Sequence, residues 1–377
     1  MVRCTVAHVD LDALQANYRA IASLVGQPRR GGRAPGVIAV VKANAYGHGA
    51  AQVGPALEAA GAKMLACADI EEGVALRLAG AIGPILVFGA LSVSDLQGLF
   101  EYDLTPTCST PAAGKALQAA AAAQGRRLRY HLKIDTGLNR LGFRHDNLQR
   151  TLPDLFASPA LECAAVYTHF ATADDPAHPL FEEQRHRFEL ARACIAGMGI
   201  VPALVHAANS AALLRDPSTW YDSVRPGLLL YGVAPTAFAS VLPLRPVLSL
   251  RSRVVAVKNV RAGEGVGYGA RFRAQAPCRI ATVPAGYADG LDTRMSERGQ
   301  VLVGGRRVPV VGAVSMDMLA IDASSTPVYP GDEVVFLGDQ GGDRISVAEM
   351  ASAIGSNPYE VLCRLGSRIE RIYNRLA

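Results

Sequence analysis

Lysine is scarce in this 377-residue chain: five lysines stand among 38 basic residues. Two of them sit in apolar surroundings, Lys42 directly after the run VIAVV and Lys133 inside RYHLKI. A lysine amine taken out of water loses its proton more readily, and the neutral amine is a nucleophile for carbonyl carbon. Other polar groups close similar apolar runs: Asp135 follows Lys133, His169 follows AAVYT, and His206 ends ALV with Asn209 and Ser210 just beyond. Arg225 ends a further run and is followed by Gly227. Imidazoles exchange protons near neutral pH, and serine, glycine backbone and arginine hold anions. Taken singly each has an ordinary explanation. A lysine can mark where a strand reaches water, a histidine can be a hydrogen-bonded core residue, and Arg225 before Pro226 can be a surface turn. Together they would crowd one small opening, and that favours a reaction site.

The elements that must carry these residues are legible as eight short apolar runs: Val37–Val41, Met64–Ala68, Ile85–Phe88, Leu104–Thr107, Arg129–Ile134, Cys163–Thr168, Leu204–Ala207 and Ser223–Arg225. Their apolar residues are continuous rather than alternating, as in strands covered on both faces. Helix-patterned segments such as Pro111–Gln124 and Leu180–Met198 lie between them. Eight strand–helix units over roughly 200–250 residues predict a (β/α)8 TIM-type barrel, whose active site gathers at the carboxyl ends of the strands. A doubly wound sheet is the other arrangement that could hold as many strands. Past residue 240 the texture becomes β-rich: Val247–Val260, a hairpin around Gly304 and Gly305, and Glu333–Leu337. Ser346 with Glu349 predicts a capping box, and Asn357-Pro358 with Glu360 a second helix start. The organisation expected is a barrel over 10–240 and a mainly-β domain over 241–377, which the β-like segment 3–9 could join.

Half the residues are apolar, and the formal charge of +5 is mild and scattered, so no nucleic-acid partner is expected. The long uncharged run Leu78–Ser94 is broken by Gly80, Gly83, Pro84 and Gly89, and it predicts a buried strand between turns rather than a membrane span. Seven cysteines, none in C-x-x-C spacing, predict free thiols in a cytoplasmic protein. The acidic N-terminal stretch does not read as a signal peptide.

The residues around these positions resemble the alanine racemase family. VVKANAYGHG (Val40–Gly49) is similar to that family's lysine signature for pyridoxal 5'-phosphate (PLP). KIDTGLNRLGF (Lys133–Phe143), YTHFA (Tyr167–Ala171), NSA (Asn209–Ala211) and VRPG (Val224–Gly227) follow in family order. So do GYG (Gly267–Gly269), GYADG (Gly286–Gly290), VSMD (Val314–Asp317) and NPY (Asn357–Tyr359), the matches spanning the chain.

The resemblance implies a PLP enzyme interconverting L- and D-alanine, with D-alanine used for peptidoglycan. It implies that Lys42 binds the cofactor covalently and serves one face of Cα, and that Tyr268 serves the other. Free tyrosine, with a pKa near 10, is a poor base and needs help; His169 is the family's neighbour for it. The implied cofactor contacts are Lys42, Tyr46, His169, Asn209, Ser210, Arg225, Gly227, Leu228 and Tyr359. Ser210 and the Gly227–Leu228 backbone fall on the loops that usually bind phosphate in such barrels. Arg225 would face the pyridine nitrogen, supported by His206; having no acceptor, it requires an unprotonated ring nitrogen. Arg140, Met316, Asp317 and Tyr287 would contact substrate, and Lys133 would orient Arg140 as a carbamate, a simple salt bridge from Lys133 to a carboxylate being the competing reading. Ser315 should be dispensable. Because Tyr268 lies in the second domain, the family arrangement is a homodimer with shared active sites.

Three other readings compete. A related barrel-plus-β decarboxylase places glutamate, not arginine, at the Arg225 position. A non-catalytic PLP carrier is a single barrel. A metal-dependent barrel hydrolase needs a His-x-His pair where this chain has Val40, Val41 and Lys42, and no metal is expected.

Overall fold

The apolar runs become a closed ring of parallel strands in the computed structural model, which describes residues 4–26, 34–91 and 95–374. These strands are β1 (Gly36–Val40), β2 (Met64–Cys67), β3 (Ile85–Val87), β4 (Leu104–Cys108), β5 (Leu128–Asp135), β6 (Leu161–Tyr167), β7 (Leu204–His206) and β8 (Ser223–Val224). Each pairs in parallel with the next, and Ser223 and Val224 of β8 return to Gly36 and Val37 of β1. The ring is a barrel, not an open doubly wound sheet. Leu65, Leu86, Val87, Leu132 and Ile134 have no solvent-exposed surface, as expected of strands enclosed on both faces. Helices predicted at Pro111–Gln124 and Leu180–Met198 form at Pro111–Ala123 and Leu180–Gly197, the first capped by Thr110 Oγ1 on the Ala113 N–H.

Two compact units divide the chain: Gln15–Ala45 with Ala50–Leu244, and Met1–Leu14 with Tyr46–Gly49 and Arg245–Ala377. The second unit is a mainly antiparallel sheet. Its order is Ala256–Val260, Cys278–Val283, Leu319–Asp322, Arg306–Val311, Gln300–Val303, Glu333–Gln340, Leu248–Arg253, Val6–Val9 and Glu370–Tyr373. The N-terminal strand Val6–Val9 belongs to this sheet, antiparallel to Leu248–Arg253 and parallel to Glu370–Tyr373. Arg3, and Ser92–Ser94 of the uncharged run, lie outside the described residues. The hairpin at Gly304 and Gly305 forms as expected.

The capping box at Ser346 is only half built. Ser346 Oγ accepts the Glu349 N–H, but the Glu349 carboxylate turns to Arg307 instead of returning to the cap. Arg307 also holds Asp343, so an ion-pair cluster outcompetes the backbone donor. Asn357 caps its helix as predicted, with Pro358 in the first turn. None of the seven cysteines, all among the described residues, forms a disulfide. Among the described residues no helix is long and apolar enough to cross a membrane.

Candidate active site

Arg225 is the hub of the polar residues at the strand ends. It is 3% exposed, and its guanidinium donates to Thr168 O (2.6 Å), Ala207 O (2.8 Å) and His206 Nδ1 (2.7 Å), with His169 Nδ1 at 3.4 Å. The contacts come from the ends of β6 and β7, so the barrel itself aims the side chain. Burial pulls the Arg225 pKa down to about 10, which leaves the cation intact at neutral pH. Tyr167 stacks on His206 at 4.7 Å between ring centroids, and its ring also faces Arg225 and Lys133.

Lys42 stands just beyond β1 and begins an unusual turn. Ala43, Asn44, Ala45 and Tyr46 all have positive φ, at 53°, 52°, 55° and 53°. Left-handed backbone costs an L-residue about 1–2 kcal/mol each, so four in a row must be held in place. The Ala45 N–H bonds to Val41 O at 2.8 Å. Glu72 accepts from the Ala43 N–H at 2.6 Å and the Ala68 N–H at 2.7 Å, and Asn44 Oδ1 accepts from the Ala50 N–H at 2.8 Å.

The mouth is strongly cationic. Lys133 is 5% exposed on β5, and burial followed by the charges of Arg140, Arg225 and Lys42 pushes its pKa down to about 8. His169 is held neutral, well below the usual imidazole range, by burial and then by Arg225, Lys133, Arg140 and Lys42. Arg140 is exposed on the loop after β5. That loop is tied by Asp135 Oδ1, which accepts from the Gly137 and Asn139 N–H groups. Asn139 takes φ 56°, which asparagine tolerates. Gly142 is required: at φ 131° a Cβ there would lie 2.6 Å from Asp135 N.

On the other side of the mouth, Asn209 Oδ1 caps the helix Ser210–Arg215 and its Nδ2 donates to Phe170 O. Ser210 Oγ accepts the Gly227 N–H at 2.9 Å, so the hydroxyl keeps its own proton to give to an acceptor. The Gly227 N–H is thereby engaged by Ser210, and the short helix starting at Leu228 follows directly.

The remaining expected residues lie in the β-rich unit. Tyr46 is 5% exposed, and its ring lies 5.9 Å from that of Tyr359. Burial, then Tyr359 and Cys363, raises the Tyr46 pKa, so its hydroxyl remains a donor. Tyr268 is 77% exposed at the tip of the hairpin Gly265–Val266 and Phe272–Arg273. Gly312, at φ 65°, lets that hairpin approach, since a Cβ there would lie 2.6 Å from Val266 O. Next to it, the Tyr287 N–H bonds Ser315 O, the Ala288 N–H bonds Met316 O, and Asp317 pairs with Arg368 at 2.6 Å. Tyr287, Met316 and Asp317 are thus one cluster. The structure gathers the expected residues into two groups, one in each unit.

His131 was not expected. Its Nδ1 lies 3.0 Å from His206 Nε2. Period-2 alternation would have put it on one strand face with Lys133 and Asp135, and that was the available signal. Glu72, which no family motif marks, was also missed.

A parallel barrel with lysines and a histidine-braced arginine at its strand ends, joined on one chain to an antiparallel β unit, defines an enzyme of the barrel-plus-β-domain class. The sequence profile of "Alanine racemase, N-terminal domain" matches residues 9–235, and that of "Alanine racemase, C-terminal domain" matches 247–373. The alanine racemase of Symbiobacterium thermophilum is 41% identical over 374 residues, covering 99% of this chain and 97% of its own. The alanine racemase from D-cycloserine-producing Streptomyces lavendulae superposes with a TM-score of 0.94 at 36% identity, covering 100% of this chain and 98% of its own. The Bartonella henselae alanine racemase, solved with covalently bound pyridoxal phosphate, has a TM-score of 0.85 at 28% identity, with 98% and 99% covered. This chain belongs to the alanine racemase family, and it is an amino-acid racemase, an isomerase.

Proposed function

We propose that the protein interconverts L- and D-alanine with PLP bound at Lys42, using Lys42 and Tyr268 as bases on opposite faces of Cα. The donor set fits this cofactor. It offers a primary amine, a hydroxyl proton on Ser210, protonated Tyr46, and an arginine that can only donate. PLP, when bound, supplies the electron sink that weakens the Cα–H bond.

The observation that carries the reading is Arg225. Fixed by four polar neighbours and still charged, it would hold a cofactor ring nitrogen by donation alone and would not protonate it as a carboxylic acid does. A weaker electron sink limits side reactions and suits simple proton return to Cα. Lys42 Nζ takes or returns the proton on the D face, and Tyr268 Oη on the L face. His169, neutral at this mouth, helps the Tyr268 phenolate by donating a hydrogen bond rather than by charge.

Arg140 binds the substrate carboxylate, with Met316, Asp317 and Tyr287 beside the substrate. Lys133, electron-rich once deprotonated, orients Arg140 as a carbamate. Ser210 and the Leu228 backbone, with the hydroxyls of Tyr46 and Tyr359, would hold the cofactor phosphate, while Gly227 and Asn209 shape that site through their bonds to Ser210, Phe170 O and the Ala212 N–H. The active form is a homodimer with shared sites. Exposed Tyr268, Tyr287, Met316, Met318 and Tyr359 support this, because so many large apolar groups on one unit favour a covering partner. The D-alanine made in the cytoplasm would serve peptidoglycan synthesis.

Two variants test the assignment of the bases. Lys42→Ala should remove the visible absorbance of protein-bound cofactor; its persistence after gel filtration would refute the attachment. Tyr268→Phe should cripple α-proton exchange from L-alanine and spare more of it from D-alanine. Equal loss in both directions would make Tyr268 structural.

A further inference from the structure

His131 has no part in the proton transfers above, yet the polar chain behind Arg225 runs to it. It is 2% exposed and lies where the pairing of β5 with β6 slips between Tyr130 and His131. The extra residue, Ala164, belongs to β6, so His131 keeps its regular alternation on β5 and shares a strand face with Lys133. That face brings His131 Nδ1 to 3.0 Å from His206 Nε2, while His206 Nδ1 lies 2.7 Å from the Arg225 guanidinium.

The direction of every proton along this chain follows from arginine. A guanidinium has donors and no acceptor, so His206 Nδ1 must accept. Neutral His206 therefore carries its hydrogen on Nε2 and donates it to His131. His131 Nδ1 must then accept, which puts the His131 hydrogen on Nε2. A second proton on His206 would set an N–H against the Arg225 N–H. Burial, followed by the charge of Arg225, keeps both imidazoles neutral, His131 pushed down to about 3 and His206 far below its ordinary value. The Tyr167 ring stacked on His206, with its hydroxyl 3.0 Å from Thr107 Oγ1, restrains the His206 ring.

We propose that His131 is a positioning residue of the racemase site: it accepts the His206 Nε2–H, fixes the tautomer of His206 that can receive Arg225, and so holds the guanidinium in its working orientation. The inference rests on the reading of Arg225 given above. A histidine that merely filled space could be replaced by a leucine without consequence at Arg225, whereas an acceptor could be replaced only by another acceptor.

The direct test is long-range proton–nitrogen NMR on 15N-histidine-labelled protein at neutral pH, with His131 and His206 assigned from single His→Asn variants. Both residues should read as neutral with hydrogen on Nε2. A His206 that is cationic, or that carries its hydrogen on Nδ1, overturns the proposal. A kinetic comparison adds an independent reading. His131→Asn keeps an oxygen acceptor near the Nδ1 position and should stay within about threefold of wild-type kcat. His131→Leu should lose about tenfold or more in kcat with KM for alanine little changed, and should shift the visible absorbance of bound PLP. Equal kcat and unshifted spectra for the two variants would contradict the role. If the wild-type protein did not racemise alanine while both tautomers read as expected, the assigned reaction would fail and the His131–His206–Arg225 relay would stand. Intact racemisation with the opposite His206 tautomer would sink the relay alone.

Discussion

Replacing Lys133 by methionine removes an amine that the fold holds in an unfavourable state. The Lys133 pKa falls from 10.5 to about 8 through burial and the charges of Arg140, Arg225 and Lys42. That fall is worth about 3 kcal/mol at about 1.4 kcal/mol per pH unit. Below pH 8 the residue is charged in both folded and unfolded chains, and the full penalty weighs on the fold. Between pH 8 and 10.5 the folded amine is neutral while the unfolded chain still binds the proton, so stability rises with pH. In buffer freed of carbon dioxide, Lys133→Met should therefore be the more stable protein at pH 7, by up to about 3 kcal/mol, and the advantage should vanish near pH 10.5. Urea unfolding midpoints across that range measure it. At pH 7 about one amine in ten is neutral, against roughly one in three thousand for an ordinary lysine, a ratio set by the two pKa values. That neutral fraction can add carbon dioxide, and the resulting anion would face three cations. Added bicarbonate should then stabilise the wild type and leave Lys133→Met unmoved. A methionine variant that is less stable at pH 7, or a difference independent of pH, would refute the electrostatic reasoning; no bicarbonate effect would refute the carbamate.

Mixing inactive Lys42→Ala with inactive Tyr268→Phe tests the shared site: statistical subunit exchange should restore about a quarter of wild-type activity, and no recovery would mean that the two bases act within one chain. Glu72→Ala removes the acceptor of two backbone N–H groups, one of them in the left-handed turn after Lys42. It should lower stability by about 2–3 kcal/mol and weaken PLP binding in a cofactor titration, whereas an unchanged midpoint would show that the turn holds itself.

The barrel was legible because buried parallel strands leave continuous apolar runs, and all eight were located to within a residue or two of their observed ends. Polar residues closing those runs marked the mouth for the same reason: an inward side chain at a strand end has nowhere else to go. What stayed hidden depends on geometry rather than composition. Four consecutive positive-φ residues after Lys42 include only one asparagine, so nothing in KANAY announces a left-handed turn. His131 sits inside an apolar run, and its partner His206 lies 75 residues further on, so only the closed ring of strands brings the two together. The approach of Tyr46 to Tyr359 joins positions more than three hundred residues apart, and the family resemblance alone pointed to it. At Ser346 the motif was present, but a nearby ion pair captured the glutamate that should have completed it.

The central claim, proton transfer on both faces of alanine Cα, is most directly tested by incubating the PLP-loaded protein with L-alanine in D2O and following α-deuterium uptake together with D-alanine. Deuterium should appear at Cα as D-alanine accumulates, with no loss of carbon dioxide. No exchange at all, or exchange accompanied by decarboxylation, would contradict it.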